Sequence, residues 1–197
     1  VRCTTGKMSK SFKLIFKTFL WALGLAAAVL ILMGGVYYLQ TSRFDSSLVS
    51  SGEERGYLLH VPPGYDGSQP VPLVISIHGF AGWPGNQSQI SQWNQVADEA
   101  GFLVVYPHGT GFPPRWRAGD QPGAELDIQF LTDLIDTLEA SYSIDPHRVY
   151  VNGISNGGGM SFALSCKLSE RIAAFGSVAG AYLLPWEDCT PSRPVPA

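Results

Sequence analysis

The sequence predicts one α/β domain, its mostly parallel sheet covered by helices on both faces, carried behind a single transmembrane helix. Three observations point there. Residues 19–39 contain no charged side chain. Downstream, short β-branched runs alternate with longer segments of helical period, the pattern of strands joined by crossover helices. One of those strands runs straight into Gly153-Ile154-Ser155-Asn156-Gly157 at the start of a helix. Composition agrees, since 197 residues with 45% hydrophobic and 15% charged side chains can bury a core. That length suffices for one domain with an appendage and not for two full catalytic domains.

Taken as a helix, residues 19–39 rise about 31 Å, the thickness of a bilayer's hydrocarbon core. A buried core helix would keep a polar stripe, and this run has none. Arg2, Lys7, Lys10, Lys13 and Lys17 precede it, whereas only Arg43 closely follows. This asymmetry places the N-terminus in the cytoplasm and everything past residue 40 outside it. Trp21 and the pair Tyr37 and Tyr38 suit the two interfaces. The run is longer than a typical signal-peptide core, and GGVYYLQTS offers no clear small-x-small site, so an uncleaved signal-anchor is expected; cleavage, giving a secreted form, is the alternative. Met8 is a candidate start. The expected organisation is thus a basic cytoplasmic N-terminus over 1–18, the anchor over 19–39, a polar linker over 40–53 and the domain over 54–197. From Arg43 onward 16 acids face 8 bases, an acidic body that argues against nucleic-acid binding.

Within the domain the elements follow in order. Residues 55–61 (RGYLLHV) read as a strand stopped by Pro62-Pro63-Gly64, and 72–78 (PLVISIH) as a buried strand ending at Gly79. Residues 90–100 are helical in pattern and stop at Gly101; 102–106 (FLVVY) form another buried strand, stopped by Pro107. Residues 125–142 put Phe130, Leu131, Leu134, Ile135 and Leu138 on one face and Asp133, Asp136 and Glu139 on the other. A turn at Asp145-Pro146 precedes the strand 148–152, the helix 156–168 and the strand 173–178. Right-handed crossovers between such strands cover both sheet faces.

The chemical signal is the G-x-S-x-G between the strand RVYVN and its helix, the context of a nucleophile elbow. A serine on so sharp a turn has strained backbone angles, and Gly153 and Gly157 let neighbouring backbone pass close enough to permit it. Ser155 is the candidate nucleophile. Its hydroxyl projects at a helix N-terminus, where the dipole and the Asn156 N–H favour negative charge on a substrate oxygen. Taken alone, the motif could be a flexible connection; a phosphate-cradling loop is disfavoured because no Gly-Lys-Ser/Thr follows. A second oxyanion donor is expected after an early strand, where PLVISIH meets His78-Gly79-Phe80-Ala81-Gly82, with the Phe80 N–H as candidate. His78 then positions the loop, and His60, His108 and His147 read as surface or turn residues. Trp83, Trp116 and Trp186 either line a cleft or pack the core. Cys3, Cys166 and Cys189 lack the spacing of a structural zinc site, so no metal is expected; Cys166 and Cys189, both beyond the anchor, are a candidate disulfide.

With these pieces in hand, LVISIHGFAG, WNQVADEAGFLVVYPHG, the stretch from DIQFLTDLIDTLEASYSIDPHRVYVNGISNGGGM through FGSVAG, and the terminal RPVPA resemble the secreted polyhydroxybutyrate depolymerases and feruloyl or acetylxylan esterases over residues 54–197. The resemblance implies an α/β-hydrolase fold, a Ser-Asp-His triad, and hydrolysis of small or polymeric esters with no cofactor. Two departures stand out. Pro114-Arg115-Trp116-Arg117-Ala118 occupies the place of an aromatic C-W-N-W-F-like segment. No histidine follows Ser155, although the base of such triads does. The expectation is a membrane-anchored, extracytoplasmic serine esterase represented by its N-terminal portion, C-terminally incomplete and inactive in this form. A non-catalytic, membrane-tethered binding module of the same fold is the alternative.

Overall fold

A computed structural model describes residues 10–197, apart from the side chain of Trp186. Arg2 and Lys7 of the basic flank, Cys3, the candidate start Met8 and the candidate cleft residue Trp186 therefore lie outside the described residues or side chains. The chain divides into two units, Val1–Gln40 and Thr41–Ala197. In the first, α1 runs Lys10–Thr41, 32 residues, longer than the charge-free run because Lys10, Lys13 and Lys17 sit on its first turns. It is long and apolar enough to cross a membrane, and none of its most apolar stretch is buried.

The second unit holds a six-stranded sheet in the order β1-β2-β4-β3-β5-β6. The strands are β1 Ser46–Ser50, β2 Glu53–His60, β3 Val71–Ile77, β4 Leu103–Pro107, β5 Ile144–Ile154 and β6 Ala174–Val178; the helices are α2 Pro84–Ser91, α3 Trp93–Ala100, α4 Ala124–Ser141 and α5 Asn156–Lys167. β3, β4, β5 and β6 run parallel to one another, whereas β2 is antiparallel to β4 and β1 is antiparallel to β2.

Alternation along the strands splits the core in two. Leu73, Ile75, Ile77, Leu103, Val105, Val149 and Val151 point to one face, under Phe130, Leu131, Leu134 and Leu138 of α4 and Met160, Ala163 and Leu164 of α5. Val74, Val104 and Tyr106 point to the other, with Ala97 of α3 and Phe102. Handedness dictates this division: the crossover from β3 to β4 moves one way along the sheet, and those from β4 to β5 and β5 to β6 move the other way, so their helices land on opposite faces.

Three expectations need correction. The stretch 40–53 is not all linker: β1 lies in it, paired residue for residue with β2 from Ser46↔Tyr57 to Ser50↔Glu53. Its two apolar residues, Leu48 and Val49, are adjacent and flanked by serines, so no alternation marks the strand. The helix 90–100 is two helices, because Gln92 adopts φ 56 and breaks the ladder between α2 and α3. Asp145-Pro146 lies inside β5, where the pairing with β3 shifts register between Val71 and Leu73. A 3-10 turn, Trp186–Asp188, follows β6.

Candidate active site

The strand order reverses at β3: the chain leaves it toward β4 on one side and returns to β5 on the other. A crevice outside the carboxyl ends of β3 and β5 is the place where open α/β sheets bind ligands. Ile77 pairs with Gly153 at those ends, so residues 78–82 and Ser155 emerge side by side.

Ser155 joins β5 directly to α5 with φ 54 and ψ −119, a region that non-glycine residues seldom occupy. Its N–H donates to Val178 O at 2.8 Å and its carbonyl accepts from Gly159 N–H at 3.0 Å, so the turn is held from both sides. The glycines are steric necessities: a Cβ on Gly153 would lie 2.3 Å from Gly157 O, and one on Gly157 would lie 2.3 Å from Ile77 O. The Ser155 side chain is exposed.

Phe80 lies in a tight turn closed by the Gly82 N–H to Gly79 O bond at 3.0 Å, with Ala81 at φ 57. Among the described residues, the N–H groups of Phe80 and Asn156 enter none of the backbone hydrogen bonds of loops and helix ends. Phe80 thus follows the carboxyl end of β3, and the Asn156 N–H stands at the start of the twelve-residue α5.

His78 is buried below this loop. Its Nδ1 lies 2.7 Å from Gly79 O and its Nε2 accepts the Gly109 N–H at 3.0 Å, which fixes a neutral tautomer. Desolvation pushes its pKa down to about 4, against the raising influence of Gly79. Both ring nitrogens being engaged, it cannot take a proton from Ser155 without breaking the loop it holds. His108 stacks on Trp83 at 5.0 Å and Phe44 at 5.9 Å, and burial lowers its pKa too. His60 pairs with Asp98, and His147 lies toward the opposite end of β5, about 26 Å from Ser155 at the rise of a strand. Among the described residues no histidine is hydrogen-bonded to Ser155 Oγ. Cys166 and Cys189 are joined by a disulfide, Cα–Cα 4.9 Å, tying α5 to the chain after the 3-10 turn.

Sequence reasoning missed Asp127. Fully buried on α4, it accepts from Arg117 N–H at 2.8 Å, Arg117 Nε at 3.0 Å and a terminal Arg117 nitrogen at 2.9 Å, and pairs with Arg55 at 3.0 Å. The Arg55 guanidinium lies 4.0 Å above the Phe130 ring. Burial draws Arg55 below its ordinary pKa, whereas the hydrogen bonds to Asp127 raise that of Arg117. The signal was an acid one helical turn before Leu131, on the apolar side of α4. Trp116 resolves as core: fully buried, it packs against His78 at 5.3 Å and Phe130 at 6.4 Å.

Comparison with known proteins bears on this geometry. Residues 55–184 match the family model described as esterase PHB depolymerase. The chain is 36% identical over 109 residues to a bifunctional acetylxylan esterase/xylanase of Neocallimastix patriciarum, 55% of this chain and 16% of that protein. It is 30% identical over 147 residues to feruloyl esterase B of Piromyces equi, 72% of this chain and 27% of that protein. An acetyl xylan esterase structure from Aspergillus awamori superposes with a TM-score of 0.58 at 20% identity, covering 68% of this chain and 51% of that one. The chain therefore spans a minor part of these curated relatives and about half of the structural neighbour, and the superposition shows an α/β-hydrolase fold.

Proposed function

Because the chain belongs to the esterase PHB depolymerase family, a family of carboxylic ester hydrolases, we propose that it is a membrane-anchored serine esterase with Ser155 as nucleophile. The observation that carries the reading is the left-handed backbone of Ser155 between β5 and α5, its hydroxyl exposed beside the uncommitted N–H groups of Phe80 and Asn156.

In the proposed reaction Ser155 Oγ attacks the ester carbonyl and its proton passes to a base. The carbonyl oxygen becomes an oxyanion and accepts from the Phe80 and Asn156 N–H groups, donors fixed in place before charge develops. Collapse expels the alcohol, which takes up the proton, and water then attacks the acyl-enzyme and releases the acid. No step calls on a metal or cofactor. A histidine is the expected base, and His78, with both ring nitrogens engaged, does not fit that role. Acetyl, feruloyl and hydroxyalkanoate esters are the proposed substrate classes, following the names of the relatives. The apolar α1 and its basic flank support an anchor with the domain outside the cytoplasm.

One observation favours the rival reading, a binding module without catalysis: no histidine bonds to Ser155 among the described residues. Turnover separates the two. The full-length protein is expected to hydrolyse p-nitrophenyl acetate or butyrate and to lose that activity in Ser155→Ala. Binding of esters with no turnover by the intact protein would establish the module instead.

A further inference from the structure

The two loops that carry the proposed oxyanion donors are joined by a third segment, residues 114–116. On one side Ala81, next to Phe80, donates its N–H to Pro114 O at 2.8 Å. On the other, the Asn156 side chain takes both backbone groups of Trp116: Oδ1 accepts the Trp116 N–H at 2.7 Å and Nδ2 donates to the Trp116 O at 2.9 Å. Between them Arg115 exchanges both its backbone hydrogen bonds with Thr110, at 2.9 and 3.0 Å.

This strap has little room to slide. The Trp116 ring is fully buried, and the next residue, Arg117, is held by three hydrogen bonds to the buried Asp127. A carboxamide offers one acceptor and one donor on a short stem, which matches the N–H and C=O of a single extended residue. No other natural side chain of that length supplies both at once with fixed polarity.

We propose that the Asn156 carboxamide is a positioning residue: through Trp116 and Pro114 it fixes the separation of the Phe80 and Asn156 backbone N–H groups. The inference rests on the esterase reading for its consequence and on geometry alone for the clamp. Preorganised donors act only when they lie within hydrogen-bond reach of the oxyanion, so a strap shifted by a fraction of an ångström weakens the transition state more than the bound ester.

The test uses the full-length protein with Asn156→Ala and Asn156→Asp, neither of which alters the backbone donor. In Asn156→Ala, kcat falls about 10- to 100-fold with KM within about twofold, and a boronic-acid transition-state analogue loses affinity in proportion to kcat. Asn156→Asp keeps an acceptor for the Trp116 N–H and recovers part of kcat. Amide hydrogen exchange supplies a readout free of activity: Ala81 and Trp116 both exchange faster in Asn156→Ala. Unchanged kcat, equal losses in kcat/KM that come from KM alone, or faster exchange at Trp116 without Ala81 would overturn the clamp. If the wild-type protein turns over no ester, the esterase reading fails, and the exchange experiment still decides the clamp.

Discussion

At Ser155 a backbone conformation that costs about 1–3 kcal/mol is retained at a site where Gly153 and Gly157 bring backbone closer than a Cβ would allow. Gly157→Ala is therefore expected to destabilise more than an ordinary helix substitution, since its Cβ would meet the Ile77 and His78 carbonyls at 2.3 and 2.5 Å; loss of soluble protein, or a clear fall in Tm, checks this. His78 yields a pH prediction. Its folded pKa of about 4 lies below the ordinary 6.5, so the unfolded chain binds more protons between these values and stability rises with pH across that window. The contribution is fully present above pH 6.5 and is lost as pH falls toward 4, about 3 kcal/mol in all. Burial of His108 acts in the same direction. Urea midpoints measured from pH 7 to pH 5 should fall more steeply for the wild type than for His78→Gln; parallel curves would contradict the assignment.

Among the elements, α4 owes its place over the sheet to an apolar stripe that was plain in the sequence, and α5 to its position after the elbow. The strands β3 and β4 were legible because both faces are buried, which leaves continuous apolar runs, and β5 because buried Val149 and Val151 alternate with partly exposed neighbours. β1 was not, because an edge strand of three serines around Leu48 and Val49 carries its information in pairing with β2 rather than in its own composition. Gln92 was equally opaque: nothing in WNQVADEA or the residues before it announces a left-handed break. At the site, Gly153, Ser155 and Gly157 could be read from spacing, whereas the tie between Asn156 and Trp116 joins residues 40 apart in the chain and has no local signature. Asp127 belongs to the same class of long-range information. Removing its charge in Asp127→Asn leaves Arg55 and Arg117 beside a neutral amide in a buried place, and should cost about 3–5 kcal/mol by denaturant unfolding. The Cys166–Cys189 bridge closes a loop with a sequence separation of 23, and its replacement by serines should cost about 3 kcal/mol.

For the whole molecule, the two units have contrasting chemistry: an apolar helix behind a basic flank, and an acidic domain of α/β-hydrolase fold. The proposed topology predicts that a reporter fused after Arg43, ahead of β1, is active outside the cytoplasm and that the protein resists alkaline extraction from membranes. Activity confined to the cytoplasm would reverse the orientation. Ser155 is proposed to be the residue acylated during ester hydrolysis, and trapping the full-length protein with a fluorophosphonate, followed by peptide mass spectrometry of the adduct, tests this. A single adduct is expected on the peptide containing Ser155, absent from Ser155→Ala together with ester hydrolysis. An adduct on another residue, or hydrolysis that persists in Ser155→Ala, would contradict it.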